Sequence, residues 1–258
     1  MASDSRTNGN TGDSAASLPL FYRRPRPLNA ELDGGKSLKA LPDFRYAAHT
    51  NSVAINNVEF TQAMRSYPIV FTPAEPRSAV AVLGLSDGDN LFVGGHGAWQ
   101  PDCYIPAYVR RYPFILMEQP GSSELIVCVD EEAGLLEDGA ARPLFVEGKP
   151  SEALRQAMEF CRAFHAENQA TLAFTRALAE QGLLVRNEAR VTLRNGRQLT
   201  LGGFEVIDEA KFNALPDAVF LDWRRRGWLH LVYCQLLSMA NWSRLVDLEA
   251  KRGAAPSA

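Results

Sequence analysis

Residues 150–184 form the longest stretch of this chain whose apolar side chains recur with a helical period, and they divide it into two unlike parts. Leu154, Met158, Cys161, Phe164, Leu172 and Leu178 supply much of one helical face. Pro150 suits a first turn, Ser151 and Glu152 suit an N-terminus, and Gly182 suits the stop. Before this stretch the sequence reads as short apolar runs broken by turn residues. After it come one hairpin and then helices. Strands first and helices last predict an α+β fold rather than an alternating βαβ sheet.

In the first part, Phe60 and Met64 lie four apart on one face of a helix over 58–65. Pro68 disfavours helix at Tyr67, so Ser66-Tyr67-Pro68-Ile69-Val70-Phe71 reads as a helix end running into a strand. Residues 78–85 are apolar and β-branched, Ser-Asp-Gly-Asp at 86–89 is turn chemistry, and 90–93 returns; together they predict a hairpin. A second passage repeats the first. Residues 104–111 read as helix, Tyr112-Pro113-Phe114-Ile115-Leu116 follows, Gly121-Ser122-Ser123 is a turn, and 125–129 is another strand. Arg65 and Arg110, 45 residues apart, each stand two residues before a Tyr-Pro pair. The match reads as a weak internal duplication or one packing solution used twice, with chance as the competing explanation.

In the last part, 189–193 and 198–201 flank Arg194-Asn195-Gly196-Arg197, where Asn-Gly supplies the positive φ angles of a type I′ turn. Residues 204–207 continue as strand. Helices are expected over 208–215, 216–226 and 228–248. The third is apolar around its circumference, which suits core packing or a homodimer contact.

The chain has 258 residues, 46% apolar and 22% charged, enough for one large domain or two small ones. Residues 1–17, rich in Ser, Asn, Gly, Thr and Asp, are expected to be disordered. Residues 18–248 are expected as one α+β domain with a sub-boundary near 148, and 249–258 as a C-terminal tail. The start has no apolar h-region, and no run of about 18 apolar residues follows, so neither export nor membrane insertion is expected. Four cysteines without a CxxC pair suit reduced thiols in the cytoplasm. A net charge of -3 argues against a nucleic-acid partner. No motif calls for a cofactor.

Gly94-Gly95-His96-Gly97, with Asp102 and Cys103 after it, offers metal ligands or a Cys–His pair. The spacing matches no HxH, HExxH, CxxC or P-loop pattern, and a glycine turn accounts for it. Arg110-Arg111 with Tyr104, Tyr108 and Tyr112 is the most chemically loaded segment. On a helix Tyr104 and Tyr108 share a face, and Arg with Tyr can clamp a carboxylate or phosphate. The competing reading is structural, with packed tyrosines and guanidinium groups bonded inside the protein. His96, Asp102, Tyr104, Tyr108, Arg110, Arg111 and Arg65 are therefore the candidate ligand-binding residues; no catalytic residue or metal ligand is assigned. Asp130-Glu131-Glu132 could serve acid–base chemistry or a cation, but such runs are more often solvated junctions. His165 and His230 suit hydrogen-bonded packing, and His49 sits in a loop. Arg224-Arg225-Arg226 near Trp223 and Trp228 makes a small basic aromatic patch, or cations at a helix C-terminus.

Tyr67-Pro-Ile-Val-Phe, Leu83-Gly-Leu with Asn90-Leu-Phe-Val, and above all Tyr104-Ile-Pro-Ala-Tyr-Val-Arg-Arg-Tyr-Pro-Phe resemble the SapC family. So do LGGFEVI from Leu201 and GWLHLVYCQLLSM from Gly227, and the resemblance covers roughly 18–248. It implies association with bacterial surface-layer genes and with neighbours encoding outer-membrane receptors, halogenase-like and cupin-like proteins. It carries over no catalytic residues. The expected function is a non-enzymatic accessory protein that recognises a peptide or protein partner. The alternative is an enzyme or small anionic-ligand binder using 94–112, which predicts one deep pocket where His96, Asp102, Tyr104, Arg110 or Arg111 converge.

Overall fold

The computed structural model describes residues 18–119, 124–139, 141–192, 196 and 198–254. The expected disordered tail at 1–17, the turn at 121–123 and Asn195 of the Asn-Gly turn lie outside them.

The fold is α+β. Five antiparallel strands form the larger sheet in the order Leu184–Thr192, Gln198–Ile207, Ile69–Phe71, Ala79–Val82, Ser52–Ala54. A second sheet sets Leu125–Asp130 between Pro25–Pro27 and Phe114–Glu118. Lys36–Leu38 pairs with Leu136–Asp138, and Phe145–Val146 with Lys149–Pro150.

The helix Glu152–Glu180 ties the two sheets together. At 29 residues it is roughly 43 Å long. Its first half buries Leu154 and Cys161 with Phe114 and Val129 of the smaller sheet. Its second half buries Phe174 and Leu178 with Phe60, Ile69 and Phe71 of the main core. Both ends follow from local residues. Ser151 accepts a hydrogen bond from the Leu154 amide. Gly182, at φ 64°, lets Leu183 N–H reach the Leu178 carbonyl and Gly182 N–H the Ala179 carbonyl, a Schellman stop.

Both Tyr-Pro passages keep the expected local plan: a short helix ends just before Tyr-Pro and a strand begins just after it. They differ in place. Ile69–Phe71 belongs to the five-stranded sheet and Phe114–Glu118 to the three-stranded one.

Two expectations need correction. Residues 78–93 do not form a hairpin, because Ala79–Val82 already has Ser52–Ala54 on one side and Ile69–Phe71 on the other. Buried Asn90 turns the chain instead, donating to the Ala47 carbonyl and accepting from Phe92 N–H. Nor is 228–248 one helix. It breaks into Trp228–Ser238, a 3₁₀ turn at Met239–Asn241, and Trp242–Ala254. The Ser238 hydroxyl accepts from Ile69 N–H, and the Asn241 amide donates to the Met64 and Tyr67 carbonyls. Those bonds to the Tyr67-Pro68 turn hold the bend. The last helix runs on through Ala254, past the 249 start of the expected tail; Arg252 donates to the Asn90 and Val93 carbonyls and pairs with Asp89.

Candidate functional site

The candidate residues divide into two groups. His96 is exposed on a tight turn closed by Gly97 N–H to the Gly94 carbonyl. Asp102 is exposed at φ 59°, and the Cys103 thiol receives Arg244 at 3.0 Å. Arg65 is exposed at the end of its helix. None of these lines either cavity described below. Among the described residues no three His, Cys, Asp or Glu side chains gather as metal ligands.

Tyr104, Tyr108, Arg110 and Arg111 do come together, although not on one helical face. The helix spans only Ala107–Arg110, because Pro106 disfavours helix at Ile105. Tyr104 therefore precedes it and turns toward Glu59, while the Tyr108 hydroxyl donates to the Leu20 carbonyl at 3.3 Å. Arg110 donates to the Ile105 carbonyl and the Tyr104 hydroxyl, each at 3.0 Å, and lies 5.2 Å from the Phe160 ring centre. Arg111 sits 4.0 Å from the Tyr108 ring centre and 4.5 Å from that of Phe164. Its Nε is buried without a hydrogen-bond partner.

Glu59 joins the two Tyr-Pro passages. One oxygen accepts from Asn56 N–H at 2.8 Å. The other accepts from Ala107 N–H at 2.7 Å and from the Tyr104 hydroxyl at 3.0 Å. A residue of the first short helix thus caps the second. Burial raises the Glu59 carboxyl above the ordinary glutamate range, against those three donors and the charge of Arg110. Tyr104 is pushed up to about 12, first by burial and then by the Glu59 charge.

Next to this joint lies a cleft of about 720 Å³. Tyr46 and Tyr112 stack in its wall with ring centres 4.3 Å apart, and Phe21 meets Tyr46 edge-on at 5.5 Å. The hydroxyls of its three tyrosines are bonded inward. Tyr22 donates to the Phe114 carbonyl, Tyr46 to the Val109 carbonyl and Tyr112 to Asp130. Burial raises all three phenols far above the ordinary range. A second groove, of about 320 Å³, adjoins the cleft and shares Lys39, Leu41, Tyr112 and Leu135 with it. Arg110, Arg111 and Arg142 also line this groove.

Of the other sequence candidates, His49 and Glu132 line the cleft, and the rest lie outside both cavities. Asp130 is 1% exposed and binds the Arg23 and Arg24 amides. His230 bonds Thr61 at 2.7 Å. Trp223 is buried, and Arg226 pairs with Asp222 while lying 4.8 Å from the Trp228 ring centre. Glu59, Tyr46 and the 39–43 segment carry no motif. Their only signal in the sequence is an acid just before an apolar helix and an aromatic in a polar stretch.

The chain is thus an α+β protein with an aromatic-walled cleft beside a groove lined by arginines. The family model described as SapC matches residues 28–245, and the protein belongs to the SapC family. No curated protein and no solved structure matches the chain.

Proposed function

We propose that the protein is a non-catalytic accessory protein that holds an extended segment of a protein partner in the tyrosine-walled cleft. The observation that carries this reading is the use of the tyrosines. Their hydroxyls are bonded to the protein's own carbonyls and to Asp130, and Tyr22 and Tyr112 are buried, so the half-buried Phe21 and Tyr46 give the cleft ring surface rather than phenols, suited to packing apolar side chains beside the charged Arg23, Asp43 and Glu132 of its lining. His96 and Asp102, which the enzyme alternative needs beside Arg110 and Arg111, lie outside both cavities.

Ala40 tests the reading. It lines the cleft and is exposed, so a large side chain there fills the cleft without entering the core. Selection from a random peptide display library is expected to enrich a consensus on the unmodified protein and to enrich none on Ala40→Trp. The same consensus on both proteins would place recognition elsewhere.

A further inference from the structure

The groove beside the cleft carries an unusual charge. Lys39, Arg110, Arg111 and Arg142 line it, and among the described residues no Asp or Glu does, in a chain whose net charge is -3. Among the described residues only Lys39 of these four has a carboxylate partner, Glu137 at 3.6 Å, and both are about half exposed. Arg110, Arg111 and Arg142 form no ion pair with a described residue. Glu59 is buried on its three donors, and Glu152, next in sequence to the groove-lining Ala153, pairs with Arg155 and accepts from Gln156.

Two features fix this charge in place. Arg110 is held by the Ile105 carbonyl and the Tyr104 hydroxyl, and Arg111 is packed against Tyr108 and Phe164. Guanidinium groups held by carbonyls and rings lose little freedom when an anion arrives. Ala153, Gln156 and Ala157, in the first turns of Glu152–Glu180, also line the groove, so the positive end of a 29-residue helix adds to the field.

We propose that this groove is a carboxylate-binding subsite that receives the acidic side chains of the segment held in the adjoining cleft. The proposal rests on the cleft reading, because Lys39, Leu41, Tyr112 and Leu135 belong to both walls and a segment leaving the cleft over them enters the groove. Its partner is an acidic, aromatic-containing stretch of polypeptide: rings against the tyrosines, carboxylates among the arginines.

Fluorescence anisotropy with two fluorescein-labelled peptides tests it on the full chain, one of alternating Glu and Tyr, the other of alternating Gln and Tyr. The Glu peptide is expected to bind about tenfold tighter or more at low salt, with the advantage shrinking as salt rises. Arg142 is exposed and has no side-chain partner among the described residues, so Arg142→Glu leaves the fold intact. It is expected to remove most of that advantage, whereas Arg225→Glu, on a helix that does not line the groove, is expected to keep it. Equal affinity for the two peptides, or equal losses in both variants, overturns the subsite. Inorganic phosphate that displaces the Glu peptide at equal charge concentration also overturns it, in favour of a free anion. Ala40→Trp separates the two readings: if it changes neither affinity while Arg142→Glu removes the preference, the cleft reading fails and the carboxylate site stands.

Discussion

Asp130→Ala is expected to destabilise the protein by about 3–5 kcal/mol and to dismantle the tyrosine-walled cleft. Asp130 is 1% exposed and sits at the end of the central strand of the smaller sheet. Its partner strand, Pro25–Pro27, is poorly equipped to pair, because its two prolines have no N–H to give. The chain compensates just upstream: Arg23 and Arg24 donate their amides to one Asp130 oxygen, at 3.2 and 2.7 Å. The other oxygen takes the Tyr112 hydroxyl at 3.0 Å. Alanine leaves two amides and a phenol without an acceptor. It also frees the 20–23 segment, which forms one wall of the cleft. Asp130→Asn keeps an acceptor for both amides, and the Tyr112 hydroxyl can turn to accept from the new amide. A cost of about 1–2 kcal/mol follows. Urea unfolding curves of the three proteins measure the difference. Equal, small losses in both variants would mean that the carboxylate does not anchor this strand.

How much of this was legible in the sequence depends on how far each determinant reaches along the chain. The helix Glu152–Glu180 could be placed because Ser151 and Gly182 act on their own neighbours. The two Tyr-Pro strands could be placed because proline acts on the residue before it. The 78–93 hairpin failed because a strand's partners are chosen by the sheet. Ser52–Ala54, three residues with no strong pattern, took the edge that 90–93 was expected to take. The break in 228–248 was hidden because Ser238 and Asn241 act on Ile69, Met64 and Tyr67, more than 160 positions away.

The same division runs through the candidate site. Arg110 and Arg111 stood out because two guanidinium groups among three tyrosines are dense chemistry in a short span. The cleft did not, because its walls come from 20–23, 39–49, 112 and 132–135, segments with no common period. His96 and Asp102 looked chemical for their residue types alone. The glycine turn that presents His96 is held by backbone bonds, Gly97 N–H to the Gly94 carbonyl, Gly94 N–H to the Ala98 carbonyl and Phe44 N–H to the Gly97 carbonyl, and His96 lines neither cavity.

Glu59→Ala is expected to cost about 3–5 kcal/mol and to abolish the preference for the acidic peptide, although Glu59 lines neither cavity. Its carboxylate is 3% exposed and is the acceptor for the Ala107 amide at the start of the helix that leads to Arg110 and Arg111. It also fixes the Tyr104 hydroxyl, on which Arg110 rests. Without it, a helix of four residues has no side-chain cap and Arg110 loses its support. Glu59→Gln keeps one acceptor oxygen toward Ala107 and Tyr104 but turns an N–H donor toward the Asn56 amide, so it is expected to cost about 1–3 kcal/mol. The two proteins should also part with pH. Burial raises the Glu59 carboxyl above the ordinary glutamate range, so the folded protein binds that proton more tightly than the unfolded chain. The corresponding stability is fully present below the ordinary glutamate value and is lost as pH rises through the raised one. The advantage of the natural protein over Glu59→Gln is therefore expected to shrink as pH rises above the ordinary glutamate range, read from urea midpoints at each pH. An advantage that grows with pH would mean that the three donors outweigh burial and hold the carboxyl below its ordinary range.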